Sequence, residues 1–341
     1  MRASRPAALA AALLLLASAT AAASATAAAS ATAQGAAKPV AKAPPLKWWK
    51  PARYTNGTFT RFQYQLSDSG SIAVVPGVKI YAIDFDTARD AIPVLRKRVP
   101  DVRVICYFSA GSWEKYRVDD DKQYRRIDPG SWKAAGALGN VMGDWPDERW
   151  LDVRSPVVRA NMLKRLDYSK RIGCDGVDPD NLNFYDDNNP GFPLSADDAV
   201  EYMTFLANEA HKRGMGIGLK NCHDIIPDVE PLVDWAISEE CVVYGYCDDY
   251  KALSPSKPVW NIEYCDEWSF FGEPSQKPAC LCQRTAALGI STLYKRVALD
   301  APGISCDQYC RVNKDCLPAR STATCGVKRD MCALVPSPAK L

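Results

Sequence analysis

The residues that could do chemistry in this chain are mostly acids, and they recur at the ends of short apolar runs. Asp84-Phe85-Asp86 closes one such run and Asp178-Pro179-Asp180-Asn181 another, followed by Lys220-Asn221, Glu239-Glu240 and Glu263-Tyr264. Period-two alternation places Asp178 and Asp180 on the same side of a strand, whereas Glu239 and Glu240 point oppositely, so only one of them can face a shared cleft. Carboxyls that converge on one cleft repel unless each has a partner or a task, and that repulsion drives their pKa values apart. Glycoside hydrolysis uses such a split: one carboxyl stays protonated to donate to the leaving oxygen, and the other stays ionised to attack or to activate water. Asp175 also ends near a strand, but local backbone hydrogen bonding accounts for it. Trp113, Trp145, Trp150, Trp260 and Trp268 could stack on sugar rings, although core or rim packing explains each of them more simply. Only two histidines occur, His211 and His223. A histidine-rich metal site is therefore nearly excluded, and His223 after Lys220-Asn221 is the one candidate proton carrier of that type. Ser109-Ala110-Gly111-Ser112 lacks the order of a nucleophile elbow.

Eight strands are expected to present these ends: Phe62–Leu66, Ile80–Phe85, Arg103–Phe108, Gly176–Pro179, Gly216–Lys220, Trp235–Ser238, Val259–Tyr264 and Thr292–Lys295. Helical patterns at Thr87–Arg98, Ser155–Arg171 and Ser195–Arg213 alternate with them, the first under a possible Thr87 cap and the last under a Ser195 cap with an acidic first turn. Strands alternating with helices imply a parallel sheet, and eight strands in about 240 residues imply an α/β fold of the closed (β/α)8 TIM-barrel class. In that fold the reactive residues come from the C-terminal strand ends. An open doubly wound sheet is the rival, but no glycine-rich phosphate loop follows any strand.

The remaining composition narrows the class. With 42 basic and 40 acidic residues, the chain lacks the basic surface that nucleic acid or an anionic membrane demands. Arg2, Arg5 and the apolar stretch Ala7–Ala17, followed by Ala/Ser/Thr repeats to Ala33, read as a secretory signal and leader, too short and weakly apolar for a membrane span. Residues 34–46 read as a Pro/Lys/Ala linker, 47–299 as the barrel domain and 300–341 as a cysteine-rich tail. Thirteen cysteines suit export to an oxidising compartment. Cys106 and Cys174 sit in apolar runs, where they are either buried thiols or a bridge. Cys241, Cys247 and Cys265 bracket one region, and Cys280, Cys282, Cys306, Cys310, Cys316, Cys325 and Cys332 crowd the tail. Disulfides with an odd thiol left over explain the tail better than zinc, because no histidine lies there and no paired C-x2-C spacing occurs. Asn56-Gly57-Thr58 is a glycosylation sequon.

Five ordered motifs carry a resemblance: RVICYFSAGSWEKYR at 103–117, GDWPDERWLDVR at 143–154, GCDGVDPDN at 173–181, GLKN at 218–221 and SEEC at 238–241. Together, over roughly Trp48 to Val297, they resemble glycoside hydrolase family 114, the endo-α-1,4-polygalactosaminidases, which are built on a TIM barrel. The resemblance implies a two-carboxylate hydrolysis of galactosamine-containing polysaccharide, with Asp180 and Glu239 in the positions of the nucleophile and acid/base of a retaining α-glycosidase, while the sequence leaves retention and inversion both open, since it does not give the carboxyl separation. Asp84, Tyr107, Asp178, Lys220, Asn221 and Glu263 would position the sugar, and an acidic rim suits a cationic amino-sugar polymer. No organic cofactor and no catalytic metal are expected. Asp178 and Asn183 stand where the family usually has Glu and an acid, and Ala82 replaces an acid in the second strand. Two other readings remain open: a carbohydrate-binding or surface protein on the same barrel, and a barrel hydrolase of another glycan.

Overall fold

A computed structural model describes residues 47–53, 61–67, 72–118, 133, 135–143, 145–186, 189–265, 278–300 and 303–308, all within one compact unit, Pro45–Leu341. The proposed leader, the Asn56 sequon, Trp268 and most of the tail lie outside the described residues.

The strands are β1 (Phe62–Gln65), β2 (Ile80–Asp84), β3 (Arg103–Ser109), β4 (Ser112–Glu114), β5 (Leu138–Val141), β6 (Glu148–Leu151), β7 (Gly176–Asp180), β8 (Gly216–Lys220), β9 (Trp235–Glu239), β10 (Val259–Tyr264), β11 (Ile290–Lys295) and β12 (Ile304–Ser305). One sheet runs β1-β2-β3-β7-β8-β9-β10-β11-β12, and β4-β6-β5 form a small antiparallel sheet between β3 and β7. The pairs from β1 to β11 are all parallel, and β12 is antiparallel to β11. The eight expected strands are therefore present, in sequence order and without the reversal that an open doubly wound sheet requires. The sheet curls on itself. Leu66 and Ser67 donate to the Leu299 carbonyl at 3.1 and 3.3 Å, and the Phe62 ring packs 5.6 Å from Trp260.

Three long helices cover the crossovers: α1 (Phe85–Arg98), α2 (Pro156–Ile172) and α3 (Ala196–Lys212); α4 (Ile226–Val229) is a single turn and α5 (Pro278–Ala287) precedes β11. Ser195 caps α3 in a reciprocal box with Asp198, as its acidic first turn implied. The Thr87 cap is corrected: Asp84 caps α1 by accepting from the Asp86 N–H, and the helix starts two residues earlier.

Alternation along the strands builds two cores. Phe62, Tyr64, Ile80, Ala82, Ile105, Trp235, Ile237, Trp260, Ile262, Tyr264 and Leu293 form the inner one, while the opposite faces of the strands pack against the helices. Trp235 explains the glycines of β7 and β8. A Cβ at Gly218 would stand 2.1 Å from its indole nitrogen, and one at Gly176 would stand 2.4 Å from its ring, so only glycine lets the indole lie across the barrel floor.

The cysteines resolve in part. Cys106–Cys174 is a disulfide joining β3 to the entry of β7, so the reading of these two as free thiols is set aside; Cys241–Cys247 and Cys282–Cys306 also pair. Cys265 is disulfide-bonded as well. Among the described residues the free thiol is Cys222, buried just beyond β8, which sequence reasoning passed over.

Candidate active site

Three neighbouring strands end on an inward ionisable group: Asp180 on β7, Lys220 on β8 and Glu239 on β9. The residue after each turns left-handed, Asn181 at φ 64°, Asn221 at φ 53° and Glu240 at φ 55°. Left-handed backbone costs a non-glycine residue free energy that the surrounding structure must supply, and asparagine tolerates it best. Those turns stop the strands abruptly, so the last inward side chain stands at the mouth. The two asparagines then bond back to the acids. Asn181 N–H donates to Asp180 Oδ1 at 2.7 Å, Asn221 Nδ2 donates to Glu239 Oε2 at 3.2 Å, and Asn221 Oδ1 accepts from the Glu239 N–H at 2.8 Å.

Lys220 joins the two acids. Its Nζ lies 3.1 Å from Asp180 Oδ2 and 2.5 Å from Glu239 Oε2. Because both oxygens touch one nitrogen, the sum of those two distances, 5.6 Å, is the most that can separate them. Lys220 is sealed, but the Asp180 and Glu239 side chains keep 13% and 22% of their surface open. The acids therefore face one another across an accessible groove. Burial works against the ammonium, yet Asp180, Glu239 and Asp178 outweigh it and hold Lys220 charged well above the ordinary lysine range. Burial likewise pulls the Glu239 carboxyl upward, and Lys220, Tyr264 and Asn221 more than offset that, so it sits below the usual glutamate range.

Tyr107 donates to Asp180 Oδ2 at 2.9 Å, which gives that carboxylate three donors. Asp178, one pleat deeper, is fully enclosed. Its Oδ2 accepts from Tyr64 at 3.2 Å and its Oδ1 has no hydrogen-bond partner. Burial, opposed by Lys220 and reinforced by Asp180, pushes its carboxyl up to about 8, so at neutral pH it is mostly the neutral acid.

Six of the eight expected site residues, Asp180, Glu239, Lys220, Asn221, Tyr107 and Asp178, thus gather at one end of the barrel. Two do not. Asp84 caps α1 and is gripped by the buried Arg117 guanidinium, which also holds Asp86 and Glu114. Glu263 lies on the outer face of β10, because the inward residues of that strand are Trp260, Ile262 and Tyr264. Its Oε1 accepts from Asn261 at 2.7 Å and from the Val242 N–H at 3.0 Å. The strand end was read correctly, but the parity was one residue off. Tyr264 is the residue that reasoning missed: it donates to Glu239 Oε1, and the spacing from Trp260 and Ile262 could have revealed it. Tyr246, which donates to the Glu239 carbonyl, comes from the disulfide-closed loop after β9 and had no sequence signal.

His223 stacks on Tyr246 at 4.3 Å, with Nδ1 2.8 Å from Asp249, and makes no hydrogen bond to either acid. Trp150 and Trp260 are buried, Trp113 is half-buried, and Trp145 is 56% exposed on the turn before β6. No group of three or more His, Cys, Asp or Glu suited to a metal occurs among the described residues, and no described helix is long and apolar enough to cross a membrane.

Such an arrangement can protonate a leaving oxygen with one carboxyl and attack or activate water with the other. The fold matches a crystal structure of Aspergillus fumigatus Ega3 in complex with galactosamine at 35% identity and a TM-score of 0.63, covering 76% of this chain and 98% of that one. A variant of the glycoside hydrolase domain of PelA from Pseudomonas aeruginosa matches at 14% identity and a TM-score of 0.50, covering 72% and 97%, and supports the fold. No match was found among curated protein sequences. Residues 37–311 match the glycoside-hydrolase family GH114, and the chain belongs to that family.

Proposed function

We propose that this protein hydrolyses internal α-1,4 links of a galactosamine-containing polysaccharide with retention of configuration. The reading rests on one observation, the pair Asp180 and Glu239 held within 5.6 Å through Lys220 at an open mouth. Retaining glycosidases place their carboxyls about 5–5.5 Å apart and inverting ones about 6.5–9.5 Å apart, to leave room for water. The galactosamine bound by Ega3 supports the substrate class.

Asp180 is the nucleophile. Tyr107, Lys220 and the Asn181 N–H stabilise its charge, and its oxygen forms a bond to the anomeric carbon as the glycosidic C–O bond breaks. Glu239 gives its proton to the departing oxygen, then takes one from the water that displaces Asp180 and regenerates the free acid. Because its three donors favour the ionised form, Glu239 must gain a proton to reach the working state. Activity should therefore rise as pH falls from neutrality toward 5.

Asp180→Asn and Glu239→Gln test the assignment through release of new reducing ends from a de-N-acetylated α-1,4-galactosamine polymer. Each should lower kcat by at least about a thousandfold, and proton NMR of the digest should show the α-anomer first. Wild-type turnover in either variant refutes the roles, and a β-anomer refutes retention. Binding with no new reducing ends from the wild-type protein would favour a carbohydrate-binding protein instead.

The described disulfides suit an oxidising compartment and support export after removal of the leader. We assign the barrel to residues 47–299 and the tail to 300–341. Pairing of β12 with β11 and the Cys282–Cys306 bridge support a tail stitched onto the barrel wall.

A further inference from the structure

The acids around Tyr107 and Asp180 differ in one respect that bears on specificity. Asp84 and Glu114 are paired with Arg117, and Glu114 is also near Arg165. Asp180 and Glu239 share Lys220. Glu148, at the start of β6, is half-buried and has no basic group within ion-pair distance among the described residues. Arg117 does act on it electrostatically, but that guanidinium is already committed to three carboxylates.

Its placement is built rather than incidental. Ser112 donates to Glu148 Oε2 at 2.5 Å, and the Ser112 and Ser109 hydroxyls lie 2.5 Å apart. Asn181 Nδ2 donates to Ser109 at 2.8 Å, while the Ala110 and Gly111 N–H groups donate to the Asp180 carbonyl at 2.8 and 3.1 Å. The Gly111 backbone presses so closely on Asn181 that a Cβ would overlap its carbonyl. The turn carrying Asp180 and the carboxylate of Glu148 are thus parts of one hydrogen-bonded unit. Glu148 Oε1 makes no hydrogen bond to any described residue. Burial first, then Glu114, and to a smaller degree Asp180, push the Glu148 carboxyl up to about 7 despite the Ser112 hydrogen bond, as expected of an acid lacking a counter-charge.

We propose that Glu148 receives the 2-ammonium group of a galactosamine unit bound beside the scissile bond, and so makes the cleft select de-N-acetylated chain. This rests on the reading above that the protein cleaves such a polymer. An ammonium would supply the missing counter-charge and a charge-assisted hydrogen bond to Oε1. An acetamido group supplies neither, and it would leave a partly desolvated carboxylate facing a neutral amide.

The test compares initial rates on a de-N-acetylated α-1,4-galactosamine chain and on its N-acetylated counterpart, for wild type, Glu148→Gln and Glu148→Asp. Where the acetylated chain is not cleaved, its binding to Asp180→Asn and Asp180→Asn/Glu148→Gln is measured by calorimetry. Glu148→Gln should raise KM for the de-N-acetylated chain about tenfold or more, with kcat within a few-fold and the acetylated chain unaffected. Glu148→Asp should recover part of the loss. Equal losses on both chains, no loss on either, or a wild type without preference overturns the assignment while leaving hydrolysis standing. A wild type that neither cleaves nor binds either chain removes the hydrolase reading and this assignment with it.

Discussion

Replacing Asp178 by asparagine should make the protein more stable at neutral pH, although it alters a residue at the heart of the barrel. The carboxyl is fully enclosed, one oxygen has no partner, and its pKa stands near 8 against an ordinary 3.8. A folded-state pKa raised above the unfolded value means that the native state holds its proton while the unfolded chain has released it. The stability this acid contributes is whole below about pH 4 and is lost as pH rises toward 8, at about 1.4 kcal/mol per pH unit. By pH 7 the loss is about 4 kcal/mol. Asparagine has the shape of the neutral acid and no proton to lose. Its amide brings N–H groups without described acceptors, which costs about 1–2 kcal/mol, so a net gain of about 2–3 kcal/mol is expected at pH 7. Urea unfolding at pH 5, 6, 7 and 8 reads this directly, the midpoint difference widening in favour of Asp178→Asn as pH rises. Other acids raised by burial, among them Glu148 and Glu263, near 7, tilt both proteins alike and cancel in the comparison. Parallel pH slopes, or a variant weaker at every pH, would refute the argument that Asp178 is stored as a neutral acid.

Two further outcomes follow from the same geometry. Lys220→Met leaves Asp180 and Glu239 without their shared cation, so kcat should drop by about a hundredfold or more and the kcat/KM profile should move toward higher pH as Glu239 loses its strongest stabiliser; an unmoved profile would separate Lys220 from the acids. Cys106→Ser with Cys174→Ser opens a loop of 68 residues, and loop-closure entropy puts the cost at about 4 kcal/mol. Thermal unfolding of the double variant checks this, and an unchanged Tm would mean the bridge adds nothing to the barrel wall.

Much of the site could be read from the chain because strands write their faces with a period of two. Asp178 and Asp180 had to share a side, and they do, one against Tyr64 and the other against Tyr107. Parity also explains the failure at Glu263. Its strand end was located, but the inward residue is the one in step with Trp260 and Ile262, which pack into the inner core, and that is Tyr264. Asp84 is engaged elsewhere for another reason. It lies on an inward position of β2, but Arg117, 33 residues further along the chain, folds over to claim it, and no spacing rule anticipates a guanidinium arriving from the next crossover. Tyr246 reaches Glu239 from the loop that the Cys241–Cys247 bridge closes, a contact set by tertiary structure.

Local patterns alone determined the eight parallel strands, the three long helices, the barrel class and the presence of acids on one rim, but not the small β4-β6-β5 sheet or β12. These depend on periodicity and caps, which operate over a few residues and are indifferent to the rest of the molecule. Tertiary structure decided which acids are neutralised, which is stored as a neutral acid and which is left for a ligand. Electrostatics in a curled barrel wall depends on burial and on charges contributed by distant strands. Lys220 between Asp180 and Glu239, and Glu148 with no cation of its own, acquire their meaning only when β3, β6, β7, β8 and β9 are brought to a common mouth.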